Sequence, residues 1–184
     1  MTYQTHRPLH LYLDNTIYFI TGRIYNKMRL FNSIEKMEMF RLCLVKAINM
    51  YRIKVFAWVL LQNHYHLLFK VSNGHDIKKF VRKFHSDTAI YINKKDNTPG
   101  RRVWYQYWDY CPRGEKAFYS NFNYIHHNPV KHQYVKNQDS VEGYNFCSYR
   151  QWLDLMGRDW LLSCFSEYPI IDYTVDGDKS SLQI

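Results

Sequence analysis

Two strand-like runs separated by only two residues place the strongest constraint on how this chain can fold. The runs "RIKVFAWVLL" (residues 52–61) and "HYHLLFKV" (residues 64–71) are rich in β-branched, aromatic and aliphatic residues, and only Gln62 and Asn63 stand between them. Such a short link favours an antiparallel hairpin, because parallel strands need a crossover of roughly a dozen residues or more. The middle of the chain is therefore predicted to form two neighbouring strands.

The second of these strands carries two histidines on one side. Side chains alternate along a strand, so His64 and His66 share a face with Leu68, and the opposite face holds Tyr65, Leu67, Phe69 and Val71. The mostly apolar face is expected to meet the core, which leaves both imidazoles on a more open face. There they could bind one ion, or remain half-exposed and hydrated, and the H-x-H spacing alone favours the second interpretation.

Further strands and helices are predicted on both sides of the hairpin. Before the hairpin, the sequence predicts a strand over 15–25 and a helix over 32–51 that is capped by Asn32. After the hairpin, it predicts a helix over 76–95, a strand over 103–111 and a helix over 114–128 that is ended by Pro129. This order indicates an α+β fold, a ferredoxin-like split βαβ antiparallel sheet with an added C-terminal helix. One domain over 1–150 is expected, and residues 151–184 are assigned to a C-terminal helix, starting near residue 150, and a loose tail at 170–184.

Basic residues exceed acidic residues by 25 to 16, which gives a formal net charge of +9. Such an excess points to a polyanionic partner, first of all nucleic acid. No apolar run approaches the roughly 18 residues of a membrane span, and the N-terminus lacks a signal-peptide core, so neither secretion nor a membrane is expected. The four cysteines lack C-x-x-C spacing and are expected to be reduced packing residues.

A second polar pair lies on the third predicted helix, in "NYIHHNPVK". Tyr124 and Asn128 are four residues apart and therefore lie on one helical face. Phe118, Phe122 and Ile125 form the apolar stripe that would dock this helix, which leaves Tyr124 to the side with no need for burial. Taken singly, Tyr124 could be one more packing aromatic residue, and Asn128 could simply finish the helix before the proline.

Three segments, "FAWVLLQNHYHLLFKV", "VWYQYWDY" and "NYIHHNPVKHQYV", occur in this order, and together they resemble the single-tyrosine HUH transposases. The likeness is greatest to the REP-associated tyrosine transposases, named for repetitive extragenic palindromes, and covers about residues 15–150. The histidine motif falls on residues 63–66 and the nucleophile motif on residues 124–130; "FCSYRQW" also resembles a segment of this branch. Tyr65 stands where an aliphatic residue is commoner, and Gln62 where proline is frequent.

The resemblance implies metal-dependent cleavage and rejoining of single-stranded or hairpin DNA. Tyr124 would be the nucleophile that forms a 5′-phosphotyrosine, and His64, His66 and Asn128 would bind Mg²⁺ or Mn²⁺. The phosphotyrosine stores the energy of the broken bond, so rejoining needs no ATP. This agrees with the sequence, which has no phosphate-binding loop motif. The resemblance also implies a cytoplasmic protein associated with the bacterial nucleoid.

Affinity for DNA is predicted to come from basic side chains, and base recognition from aromatic stacking. The basic candidates are Lys78, Lys79, Arg82, Lys83, Arg101 and Arg102, and the stacking candidates are Trp104, Tyr105, Tyr107 and Trp108. Any one of these charges could equally be a solvated residue on a helix face.

Two alternatives to the transposase interpretation are a nucleic-acid-binding domain that has lost catalysis and an HUH replication initiator or relaxase. The intact set of tyrosine, histidines and asparagine argues against the first. The second class usually carries a third histidine ligand and often larger domains. The sequence leaves open whether the chain is a monomer or a homodimer, and which DNA sequence it recognises.

Overall fold

The strands and helices of the computed structural model follow the predicted order. The structure describes residue 10 and residues 12–170. The strands are β1 (Ile17–Ile24), β2 (Lys54–Leu60), β3 (His64–Lys70) and β4 (Trp104–Tyr110), and the helices are α1 (Ile34–Tyr51), α2 (Asp76–Lys95), α3 (Gly114–Lys131), α4 (Tyr149–Met156) and α5 (Arg158–Glu167). All but the first residue of the predicted loose tail lies outside the described residues.

The four strands form one antiparallel sheet in the order β2-β3-β1-β4. The predicted hairpin is β2 and β3, joined by residues 61–63. Strand β1 lies between β3 and β4, so that Thr21 is opposite His66 and Arg23 is opposite His64. The predicted α+β class with a ferredoxin-like sheet is confirmed.

Helices cover both faces of this sheet. Helices α1 and α2 cover one face, where Tyr65, Leu67 and Phe69 are fully buried, as the alternation along β3 predicts. On the other face, Phe122 and Ile125 of α3 pack with strand residues such as Leu68, together with residues of α4 and α5. The expectation that the histidine face is the more open one is therefore wrong, because the added helix packs on it. Within the described residues, no helix is long and apolar enough to cross a membrane.

Three predicted helix boundaries differ in the structure. Ser33, not Asn32, caps α1, since Ser33 Oγ accepts a hydrogen bond from the Lys36 backbone amide at 3.3 Å. Helix α3 continues through Pro129, which sits in the last turn and removes only one intrahelical donor. The predicted helix over 150–165 is two helices, because Gly157, at φ 85° and ψ 165°, breaks the helical path in a conformation that favours glycine.

Candidate active site

Strand β3 presents His64 and His66 to the helix α3 side of the sheet. Their exposed fractions are only 3% and 2%, so neither ring is half-exposed as the simplest interpretation of an H-x-H pair would have it. The ring centroids are 5.1 Å apart and the rings are nearly perpendicular. The two imidazoles thus occupy one buried, partly polar region between the sheet and α3.

Each imidazole is oriented by a hydrogen bond at its Nδ1 atom. Asn63 Oδ1 lies 2.7 Å from His64 Nδ1, and Thr21 Oγ1 lies 2.8 Å from His66 Nδ1. An amide oxygen only accepts, so His64 Nδ1 is the donor, and in the neutral ring this leaves the lone pair on Nε2. Partners of this kind orient metal-binding histidines in proteins. The sequence analysis missed Thr21, because a partner on another strand is visible only once the strand register is known.

His66 is held in its neutral form by its surroundings. Burial is the main cause that lowers the pKa of His66 well below its usual value, and electrostatic repulsion between a proton on His66 and the neighbouring basic side chains His64, His132, Lys131 and Arg23 lowers this pKa further. A neutral imidazole is the form that binds a metal ion. The ring is therefore ready to act as a ligand at neutral pH.

Tyr124 of α3 packs directly on His66. The two ring centroids are 5.2 Å apart, the Phe19 ring lies 6.0 Å from the Tyr124 ring, and Tyr124 is only 1% exposed. The expectation that Tyr124 lies beside the docking stripe without burial is wrong, since α3 turns this side chain toward the sheet. The Lys131 ammonium lies 5.2 Å from the centre of the Tyr124 ring, close enough for a cation–π interaction.

Asn128 lies one helical turn beyond Tyr124 and is fully buried. Its Nδ2 donates to the Tyr124 carbonyl oxygen at 2.7 Å, whereas its Oδ1 is a buried atom with no hydrogen-bond partner in the part of the chain that the structure describes. One further turn along, the His132 ring lies 4.9 Å from the His64 ring. Because Tyr124 contacts His66 and His132 contacts His64, Asn128 lies on the helical face that meets the histidine pair.

The side chains fit a divalent metal ion with mixed nitrogen and oxygen ligands. Among the residues described, no group of three or more His, Cys, Asp or Glu side chains is placed to hold an ion, so a third protein ligand would be the amide oxygen of Asn128. Neither His66 Nε2 nor Asn128 Oδ1 has a hydrogen-bond partner within the described ranges, although both are buried. Leaving such atoms unsatisfied is costly, and a bound cation would remove that cost.

Four of the six predicted DNA-binding residues lie on α2, and the other two lie in the loop before β4. Lys78, Lys79, Arg82 and Lys83 belong to α2, which covers the face opposite the histidines. Lys79 pairs with Asp76 and Lys83 with Asp87. Arg101 pairs with Asp96, whereas the Arg102 guanidinium lies 4.6 Å from the Tyr25 ring centre. Their role in DNA binding remains a prediction.

The aromatic stacking candidates divide between the two faces of the sheet. Trp104 and Tyr107 pack against the core beneath α1 and α2. Trp108 is opposite Thr21 across the β1–β4 pair, which places it on the histidine face, and Tyr105 is 45% exposed. Only the second pair is available to a ligand on the side of the candidate active site.

Comparison with known proteins identifies one family and one shared fold. The family model described as "Transposase IS200 like" matches residues 14–128, a range that contains His64, His66, Tyr124 and Asn128. The structure of a REP-associated tyrosine transposase bound to a REP hairpin is similar, with a TM-score of 0.68 and 20% identity over 82% of this chain and 86% of that chain.

A second solved structure, of a protein assigned as a transposase in Deinococcus radiodurans R1, has a TM-score of 0.45 and 16% identity over 69% of this chain and 93% of that chain. No curated protein matches the sequence.

Proposed function

Because the chain belongs to the family of IS200-like transposases, we propose that it cleaves and rejoins single-stranded DNA at hairpin sites through a covalent 5′-phosphotyrosine, in a reaction that depends on a divalent metal ion. The observation that carries this proposal is the packing of Tyr124 on His66, with Asn128 Oδ1, which has no hydrogen-bond partner among the described residues, one helical turn away. This arrangement supports the proposal, because it brings the tyrosine that would attack DNA close to the side chains that would hold a metal ion.

Tyr124 is the nucleophile in this proposal. Its Oη forms a bond to the phosphorus of the DNA backbone, the bond from phosphorus to the 3′-oxygen breaks, and the released oxygen takes up a proton as a 3′-hydroxyl. His64, His66 and Asn128 would hold Mg²⁺ or Mn²⁺. When bound, the ion polarises a non-bridging phosphate oxygen. A second 3′-hydroxyl can attack the phosphotyrosine and rejoin the strands.

Burial of Tyr124 means that side chains around it must move before DNA can reach its hydroxyl. Lys131 is the charged residue that lies against the ring, at 5.2 Å. An ammonium at this position also suits the reaction, because it can offset negative charge on the attacked phosphate. Lys131 therefore both covers the nucleophile and supplies positive charge beside it.

Hairpin DNA is proposed as the substrate from the shared fold and the charge of the chain. The similar transposase was solved with a REP hairpin, and the net charge of +9 here suits a polyanion. A nucleic-acid-binding domain without catalysis would have the same charge, but it would not need a tyrosine packed on a metal-binding histidine.

The test is to incubate the protein with a labelled single-stranded hairpin oligonucleotide and Mn²⁺ and to separate the products on a denaturing gel. The proposal predicts a protein–DNA band that survives denaturation and disappears when EDTA is present. If the hairpin is bound but stays uncleaved at every Mn²⁺ concentration, the chain is a binding protein only.

A further inference from the structure

A row of cationic and aromatic side chains runs from the histidine pair to the β4 edge of the sheet. We call this row the arginine–aromatic ladder, and it consists of Arg23, Trp108, Tyr105, Tyr25 and Arg102. Its inner end adjoins the candidate active site, since Arg23 is opposite His64 in the β1–β3 pair. Trp108, opposite Thr21 in the β1–β4 pair, lies on the same face.

Contacts between neighbours are continuous along the ladder. The Arg23 guanidinium lies 5.5 Å from the centre of the Trp108 ring, and the Trp108 and Tyr105 rings are 6.1 Å apart. The Arg102 guanidinium lies 4.6 Å from the Tyr25 ring and 5.4 Å from the Tyr105 ring. These cation–π contacts hold the side chains in place before a ligand arrives, which lowers the entropy cost of binding.

We propose that the ladder binds single-stranded DNA next to the hairpin and leads it to Tyr124. Unpaired bases stack on aromatic rings and guanidinium planes, and the backbone phosphates need cations nearby. The ladder offers both, as three aromatic rings between two arginines. The bases of a duplex are already stacked on one another and gain little from such a row. This inference rests on the proposed function, because it takes single-stranded DNA as the substrate.

The basic face of α2 is the competing path for the DNA. This helix covers the opposite face of the sheet, so a strand bound there would have to pass around a sheet edge to reach Tyr124. Lys79 and Lys83 of α2 are moreover paired with acidic residues of the same helix. The ladder has the shorter route to the nucleophile.

A binding measurement separates these paths without requiring cleavage. Fluorescence anisotropy compares a labelled hairpin that carries a single-stranded tail with the same hairpin without the tail, in EDTA. The ladder variants are Tyr105→Ala, Trp108→Ala and Arg102→Gln. Matched controls are Tyr91→Ala on α2 and Arg41→Gln on α1, an aromatic and a cationic residue outside the ladder.

Each ring removed from the ladder should weaken binding of the tailed hairpin by about 10-fold and leave the tailless hairpin almost unaffected. Tyr105→Phe should bind normally, because it keeps the ring. Arg102→Gln should reduce the slope of log affinity against log salt by about 0.7, the contribution of one phosphate contact on a single strand. Both control variants should match the wild type.

The ladder assignment is overturned if its variants bind the tailed hairpin as tightly as the wild type. It is also overturned if their affinities for the tailed and the tailless hairpin fall by the same factor. It is also overturned if a combined alanine variant of the four α2 cations alone removes the salt dependence. A change from dimer to monomer in the ladder variants with unaltered DNA affinity would instead assign β4, an edge strand, to self-association.

Failure of the proposed function would look different from failure of the ladder. A wild-type protein that forms no covalent adduct with Mn²⁺ contradicts the proposed chemistry, yet tail-specific loss of binding in the variants would still support the ladder. Conversely, an adduct in the wild type together with normal binding in every ladder variant overturns the ladder alone.

Discussion

Some polar atoms around His66 form hydrogen bonds within the protein, and others are buried without such a partner in the described structure. Thr21 Oγ1 contacts His66 Nδ1, and Asn128 Nδ2 donates to the helix backbone, while His66 Nε2 and Asn128 Oδ1 have no hydrogen-bond partner within the described structure. The resemblance to the single-tyrosine HUH transposases predicted the two histidines, Tyr124 and Asn128 as residues of one site. It did not reveal Thr21 or His132, because their proximity depends on the strand register and on where α3 packs.

Asn128→Ala should weaken Mn²⁺ binding and DNA cleavage together, since it removes the amide oxygen from the site. Asn128→Asp is the matched variant, because it keeps an oxygen ligand; it also replaces the donor to the Tyr124 carbonyl by a charged oxygen, which favours a cation. Mn²⁺ affinity measured by calorimetry should fall in the alanine variant and persist in the aspartate variant, and raised Mn²⁺ should restore part of the cleavage by Asn128→Ala. Normal Mn²⁺ affinity in the alanine variant, with lower stability only, would remove Asn128 from the metal site.

Thr21→Val should lower Mn²⁺ affinity by about 10- to 100-fold, because His66 would lose the partner that orients its ring. Thr21→Ser keeps a hydroxyl at this position and should bind Mn²⁺ nearly as the wild type does. Electron paramagnetic resonance of bound Mn²⁺ measures the Mn²⁺ affinity of the valine and the serine variant. Equal affinities for the valine and serine variants would show that the Thr21 contact is only a packing feature.

At the level of elements, β3 joins the core and the site through alternate side chains. Tyr65 lies between the two histidines, its ring packs across Gly22 of β1, and its hydroxyl lies 2.8 Å from His85 Nε2 on α2. The alternation on β3 was predictable from the residues alone. The close approach at Gly22 was not, because it depends on which residue of β1 faces Tyr65 in the register.

Gly22→Ala should destabilise the fold by about 1–3 kcal/mol, since a Cβ at this position would overlap the Tyr65 ring. Gly143→Ala is the matched control, because open space surrounds that position. Urea denaturation gives the free energy of unfolding for both. If both variants unfold like the wild type, Tyr65 is not held against the β1 backbone.

At the level of the whole molecule, the sheet separates a structural core from the site. The order of elements was predictable because each segment shows its own periodicity. The burial of Tyr124 and the continuation of α3 through Pro129 were not, since both depend on the long-range packing of α3 against β2 and β3. Local sequence rules give no information on such contacts.

The stability of the whole molecule should depend on pH through His85, which stacks on Trp104 at 4.1 Å. Burial lowers the pKa of His85 from 6.5 to about 3, so below 6.5 the unfolded chain binds a proton that the folded chain does not. The stabilisation is complete above pH 6.5 and is lost as the pH falls toward about 3, by about 1.4 kcal/mol per pH unit.

Replacing His85 by glutamine removes this titration. Between about pH 4 and 6, the free energy of unfolding should therefore change less steeply with pH in His85→Gln than in the wild type. The two slopes should differ by about 1.4 kcal/mol per pH unit. Chemical denaturation at several pH values measures both slopes. Parallel slopes would mean that His85 is protonated alike in the folded and unfolded states.

Tyr124 is proposed to become covalently bound to DNA, and mass spectrometry of the trapped adduct identifies the residue that carries the nucleotide. Trypsin should release residues 117–131 as one peptide, which contains Tyr119 and Tyr124, so fragmentation must locate the modified residue. We expect the nucleotide mass on Tyr124 alone, and no adduct from Tyr124→Phe, which removes one oxygen and little packing. A nucleotide on any other residue, or a denaturant-resistant adduct formed by Tyr124→Phe, would contradict the account.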